Sequence, residues 1–240
     1  FAGQGLILSR VLHLRGIGES TVAELIDDLI VKQTNPTLAI YARRGEIIIR
    51  ITAKAVDATA ATVMLDEGEA ALRERLEKYI YGVDDETLAS YLGKKLLKQH
   101  KTISFAESCT GGLASNLVTD IAGSSEYLIG SIVTYTNEAK HNLLKVKEET
   151  LNAYGAVSEE TALEMAQGVR KLFGSDFGVG ITGNAGPGGS EGKPVGLVYI
   201  AIATPDEVYC KEFNFTSTRV ENKLRIALTA ISMVIDKLSE

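Results

Sequence analysis

Apolar residues dominate Leu6 to Leu14 and predict a strand, which Gly16-Ile17-Gly18-Glu19-Ser20 then interrupts. From Val22 to Val31 they recur at helical spacing behind Ser20, a predicted N-cap. Asn35-Pro36 punctuates the next turn and Leu38 to Tyr41 reads as extended. Arg43-Arg44-Gly45-Glu46 then predicts a hairpin into the β-branched run Ile47 to Ile51. Asp57 to Tyr81 returns to helical spacing, with alternating charges on an exposed face. The order β-α-β-β-α in about 75 residues predicts a small α+β domain, one helix-covered sheet.

Gly82-Val83-Asp84-Asp85 separates that layer from a new helix at Thr87 to Gln99. We therefore expect two domains, residues 6–82 and 83–240, with residues 1–5 disordered or the remnant of a missing N-terminal domain. The second domain alternates β-rich and helical runs: Thr102 to Ala106, Gly112 to Ala122, Gly130 to Thr136, Thr150 to Tyr154, Ser158 to Phe173, Phe177 to Thr182, Gly196 to Thr204, Glu207 to Phe215 and Arg219 to Lys237. Such alternation predicts a three-layer α/β/α sandwich. The last two strands join through Pro205-Asp206 as a hairpin, so the sheet should be mixed. The overall class is α/β.

Composition narrows the function. Over 240 residues, 45% hydrophobic and 23% charged describes a globular protein, and no apolar run approaches the roughly 20 residues that a bilayer demands. The chain starts Phe1-Ala2-Gly3-Gln4-Gly5, without Met and without a secretory signal, which reads as a trimmed fragment. Two cysteines, Cys109 and Cys210, make neither a disulfide framework nor a zinc pattern, and point to a reducing, cytoplasmic compartment. A formal charge of −6 argues against nucleic acid as the main partner.

Three segments carry chemistry. Ala106-Glu107-Ser108-Cys109-Thr110-Gly111-Gly112 sits where a buried strand ends and a helix begins, the place where open α/β sheets bind ligands. There Ser108 offers a hydroxyl, Thr110 a helix cap, and Gly111 and Gly112 bare backbone N–H groups for an oxyanion or phosphate. A capped helix with glycines for packing is the plain alternative. Tyr135, Asn137 and Lys140 bring a phenol, an amide and an ammonium to a second strand end, although each also has an ordinary structural reading. Thr182-Gly183-Asn184-Ala185-Gly186-Pro187 follows a third strand and can aim backbone amides at an anion, or be a flexible surface loop; it matches neither a P-loop nor a dinucleotide fingerprint. Arg219, Asn222 and Arg225 share a face of the last helix and meet either a phosphate or solvent.

Of the histidines, only His141 lies near these segments, roughly 100° around the helix from Lys140, so a Ser-His-acid triad is hard to build. A desolvated lysine can act as the base instead, and Lys140 is the natural candidate. Cys109 is read as structural.

Together, Ala106 to Gly112, Gly123-Ser124-Ser125, Tyr135 to Lys140, Gly155 to Glu159 and Gly183 to Pro187 resemble the C-terminal domain of CinA, the competence and damage-inducible family. The resemblance covers Asp84 to Glu240. Residues 6 to 81 are similar to the KH-like middle domain of long members, on Ser9-Arg10, Gly16 to Glu19, Asn35-Pro36 and Thr52-Ala53-Lys54. The C-terminal family, with its stand-alone PncC members, implies a nicotinamide-nucleotide amidohydrolase using a Ser and Lys pair, whose matching positions are Ser108 and Lys140. Thr110, Gly111, Gly112, Tyr135, Asn137, Gly183, Asn184, Ala185, Gly186 and Arg219 are then expected to line the substrate, nicotinamide mononucleotide.

The family loop often carries Ile or Val where this chain has Asn184, which either adds a hydrogen bond or perturbs the pocket. Long members also carry a MoaB-like domain tied to ADP-ribose hydrolysis; it is not in this sequence, so no pyrophosphatase activity is expected. Gly16-Ile17-Gly18 is too short for a KH-type Gly-x-x-Gly loop, and RNA binding is not implied. No cofactor and no metal are expected, and a homodimer is. Two rivals stay open: a silent nucleotide-binding module serving competence or recombination, and a metal-dependent phosphohydrolase, for which Glu107 and Asp120 look too isolated.

Overall fold

The computed structural model describes residues 5–43 and 46–240, so the expected terminal remnant, apart from Gly5, and the tip of the Arg43–Glu46 hairpin lie outside the described residues. The chain forms two compact units, one running to Tyr91 and the other from Leu92 to Glu240.

In the first unit β1 (Leu6–Leu14), β2 (Thr37–Arg43), β3 (Glu46–Ala55) and β4 (Ile80–Val83) form an antiparallel sheet in the order β2-β3-β1-β4. α1 (Glu19–Leu25), α2 (Asp27–Lys32) and α3 (Ala58–Leu76) accompany it. On α3 the buried residues Ala61, Leu65, Leu72 and Leu76 fall on one stripe against Leu12, Leu14, Ile49 and Ile51 of the sheet, while Asp57 caps its start by accepting from Ala60 N–H at 2.8 Å.

The first unit departs from the sequence expectation at three points. The run from Val22 to Val31 is two short helices, because Ile26 leaves helical geometry (φ −120°, ψ 15°) and Asp27 and Asp28 start a second helix, where the dipole favours acids. Gly18, not Ser20, is the N-cap of α1, and no side chain caps it. The helix expected to reach Tyr81 stops at Leu76, and Ile80–Val83 becomes the fourth strand, paired to β1. A four-residue apolar run beyond a helix end cannot be separated from that helix by periodicity.

The second unit carries a mixed sheet in the order β6-β5-β7-β8-β9, from β5 (Ile103–Glu107), β6 (Leu128–Val133), β7 (Phe177–Gly183), β8 (Leu197–Ala203) and β9 (Val208–Asn214). β6, β5 and β7 run parallel, and β7, β8 and β9 are antiparallel. α8 (Glu159–Phe173) covers one face, with α6 (Asn137–Leu144) and α7 (Glu148–Tyr154) packed on it; α5 (Leu113–Thr119) and α9 (Arg219–Lys237) cover the other. α4 (Leu88–Gln99) carries the division between the units. This is the expected α/β/α sandwich. β5 is buried at every position, as a central parallel strand covered on both faces should be. α8 lies close because Gly178 and Gly180 leave room: a Cβ there would stand 2.3 Å from Ala166 O and 2.4 Å from Ala162 O. Among the described residues no helix is long and apolar enough to cross a membrane.

The chain leaves β5 through α5 to β6 on one side, then crosses from β6 through α8 to β7 on the other side of β5, with α5 on one face and α8 on the other. Such a topological switch is where open α/β sheets form a ligand crevice, outside the carboxyl ends of their parallel strands.

Candidate active site

Ser108 follows the last residue of β5, and its N–H donates to Ile181 O on β7 at 2.9 Å. The chain then turns tightly: Gly111 N–H donates to Ser108 O at 3.0 Å, and Gly111 and Gly112 take φ of +64° and +93°. Side chains are strained at such angles, which is why both positions need glycine. Beneath the turn, the fully buried Glu107 carboxylate accepts from Gly112 N–H (3.1 Å), Ala114 N–H (3.0 Å), Ser115 N–H (2.8 Å) and the Ser115 hydroxyl (2.8 Å). Four donors satisfy this buried anion, and it fixes the turn that presents Ser108.

Glu107 thus takes the capping role expected of Thr110. The N-cap residue of α5 is Gly112, and the buried Thr110 and Thr134 hydroxyls find no protein partner among the described residues. Cys109 is buried, and burial pushes its thiol up to about 12, the mark of an inert packing residue.

The partner of Ser108 comes from the next strand end. Thr134, one residue beyond β6, donates its N–H to Glu107 O at 2.9 Å, and Thr136 caps α6 by accepting from Ala139 N–H at 3.1 Å. This geometry sends Lys140 inward, 1% exposed, with Nζ 3.1 Å from Ser108 Oγ and 2.9 Å from Thr134 O. Burial brings the Lys140 ammonium down to about 8 from an ordinary 10.5, with the Cys109 thiol and the Glu191 carboxylate opposing. Since the Cys109 thiol is uncharged at that pH, Glu191 is the anion that counts. A neutral Lys140 has one lone pair and two N–H groups, so it can accept the Ser108 hydroxyl while donating to Thr134 O. His141 faces away, with Nδ1 2.8 Å from Val146 O and Nε2 3.6 Å from Glu148 Oε1.

The third strand end brings the glycine loop and α9 together. Arg219 donates to Gly186 O and, at 3.1 Å, to the Tyr135 hydroxyl, so these three expected site residues meet. Asn222 is buried and donates to Ala185 O at 3.1 Å, while Arg225 turns outward to Glu221 at 3.5 Å; of the expected triplet on that face only Arg219 reaches the crevice rim. Asn184 spends its side chain on its own loop, donating to Lys193 O (3.2 Å) and Pro194 O (3.3 Å) and accepting from Ser190 (2.7 Å). Gly183 closes β7 opposite Val198, and Asn137 is exposed at the start of α6.

Three residues here were not singled out from sequence as part of this site. Glu107 was weighed only as a metal ligand. Glu191 accepts from Ala156 N–H (2.9 Å) and Val157 N–H (3.2 Å), pinning the glycine loop to the start of α8, and no local pattern signals it. Lys223 lies one turn after Arg219, with Nζ 3.5 Å from the point where a Cβ on Gly111 would stand. The four-residue spacing from Arg219 was the available signal.

Comparison with known proteins also divides the chain in two, between residues 82 and 85. The family model described as the CinA C-terminal domain matches residues 85–238, and that of the damage-inducible protein CinA KH domain matches residues 9–82. A putative competence-damage inducible protein of Clostridium acetobutylicum is 46% identical over 232 residues, covering 96% of this chain and 56% of that protein. Another from Moorella thermoacetica is 48% identical, covering 97% of this chain and 56% of its own length. The chain therefore spans little more than half the length of these curated relatives. The crystal structure of competence/damage inducible protein CihA from Agrobacterium tumefaciens aligns with a TM-score of 0.60 at 40% identity, covering 65% of this chain and 98% of that one.

Proposed function

Because this chain belongs to the CinA family, we propose that its second unit is a serine amidohydrolase that converts nicotinamide mononucleotide and water to nicotinic acid mononucleotide and ammonia, a step of pyridine nucleotide recycling. The observation that carries this reading is the 3.1 Å approach of a buried Lys140 Nζ to Ser108 Oγ. An amine held dry beside a hydroxyl is the arrangement that lets serine act as a nucleophile without histidine.

In the proposed reaction Ser108 Oγ attacks the carboxamide carbon and Lys140 takes the hydroxyl proton. The N–H groups of Ser108, Gly111 and Gly112 are engaged elsewhere, which leaves those of Cys109 and Thr110 as the candidate donors to the oxyanion. Each such donor is worth about 3 kcal/mol in the transition state. As the C–N bond breaks, Lys140 passes its proton to the leaving nitrogen and ammonia departs, leaving an ester on Ser108. Lys140 then takes a proton from water as it attacks the ester, and the acid leaves with the Ser108 hydroxyl restored.

The test is ammonia release from nicotinamide mononucleotide. Wild-type protein is expected to turn over, and Ser108→Ala and Lys140→Met to lose at least about a thousandfold in kcat while staying folded by circular dichroism. Full activity in Ser108→Ala refutes the mechanism. A wild type that releases no ammonia refutes the activity and favours the silent binding module.

A further inference from the structure

We propose that Lys223 reads the phosphate of the substrate, so that it sets the preference for a mononucleotide over the corresponding riboside. The assignment of the phosphate itself rests on the amidohydrolase reading above; the anion site rests on geometry alone.

Lys223 is half-buried on α9, and no hydrogen bond or ion pair ties it to any described residue. Its neighbour on the helix, Arg225, is by contrast paired to Glu221. A ligand's anion would meet there an ammonium with no competing protein partner among the described residues. The location is also specific. Lys223 Nζ stands 3.5 Å from where a Cβ on Gly111 would lie, and Gly111 closes the turn onto Ser108 O at 3.0 Å. A four-residue turn spans less than about 7 Å between its end Cα atoms, so the ammonium sits within about 12 Å of the Ser108 Cα, a distance on the scale of a mononucleotide.

Arg219, one helical turn earlier, supplies a second cation. Two of its guanidinium nitrogens are engaged by Gly186 O and Tyr135, a fixed orientation that leaves other N–H donors of the five free. Its guanidinium is held at the glycine loop, while Lys223 stands over the Gly111 turn. The two side chains start about 6 Å apart on one stripe of α9, close enough to share one phosphate. Arg219 is already tethered to the loop, whereas Lys223 has only the ligand to meet. That difference makes Lys223 the discriminating residue.

Two measurements test this. The ratio of kcat/KM for nicotinamide mononucleotide to that for nicotinamide riboside should fall at least tenfold in Lys223→Ala, chiefly through KM for the mononucleotide, and Lys223→Arg should recover most of it. Inorganic phosphate titrated by calorimetry should bind the wild type at least tenfold more tightly than Lys223→Ala. Equal loss on both substrates, or phosphate binding that the substitution does not weaken, overturns the proposal while leaving the amidohydrolase intact. Phosphate binding lost in Lys223→Ala, in a wild type that releases no ammonia from either substrate, supports the anion site and counts against the amidohydrolase alone.

Discussion

In the proposed amidase reaction the base, Lys140, titrates within the working pH range. With its ammonium brought down to about 8, roughly one molecule in ten carries the neutral amine at pH 7 and half do at pH 8. If Lys140 is the base in acylation, kcat/KM rises about tenfold per pH unit below 7, about fivefold from pH 7 to 8, and levels off above 9. The assay is the initial rate of ammonia release at low nicotinamide mononucleotide from pH 6 to 9.5, with ammonia measured in quenched samples so that no coupling enzyme limits the range. Glu191→Gln removes the anion that holds the ammonium up, and should move the midpoint downward. A profile that is flat from pH 6 to 9, or that falls through pH 8, refutes Lys140 as the general base. The same shift has a thermodynamic face. An unfolded lysine titrates near 10.5 and the folded one near 8, so the unfolded state binds the extra proton between those values. Stability therefore falls as pH drops from 10.5 to 8 and is level below.

Lys140→Met removes that penalty and should stabilise the protein at pH 7 by up to about 3 kcal/mol, less what the Thr134 carbonyl loses, while abolishing turnover; thermal melts at pH 7 and pH 10 check this, since the gain should shrink at the higher pH. Glu107→Gln leaves an amide NH2 facing N–H donors at the start of α5 and should cost about 3 kcal/mol, read by urea unfolding, with kcat lowered because the Ser108 turn loses its anchor. His13, in the first unit, has Nδ1 3.1 Å from Glu46 and Nε2 2.7 Å from Asp84 O, two acceptors that only an imidazolium can satisfy together. The Glu46 bond raises its pKa above 6.5, so its contribution is complete below pH 6.5 and is lost as pH rises through the folded value. His13→Ala should therefore destabilise the protein more at pH 6 than at pH 8.5 in chemical denaturation.

Much of this architecture was legible in the residues, because strands buried on both faces and helices with one apolar stripe leave different patterns. β5, β8, β9 and the Pro205-Asp206 hairpin stand where the pattern put them. β4 and the break at Ile26 were not legible: both depend on tertiary pairing and packing, which local periodicity does not record. In the site, the strand-end rule and the lack of a usable histidine singled out Ser108 and Lys140, and the fold brings them within hydrogen-bond reach. The carboxylate under the turn was missed because Glu107 meets its donors five to eight residues away, through a turn whose shape the two glycines allow but do not announce. Lys223 was missed for a simpler reason, a three-residue spacing followed where the four-residue one leads to the crevice.

The most direct test of the central claim, an acyl ester formed on Ser108 by a Lys140-activated attack, is product partitioning in the presence of hydroxylamine. The hydroxamate of nicotinic acid mononucleotide should appear at the expense of the free acid, with ammonia release undiminished in the wild type and absent in Ser108→Ala. Free acid as the sole product, formed at an equal rate by wild type and Ser108→Ala, would contradict it.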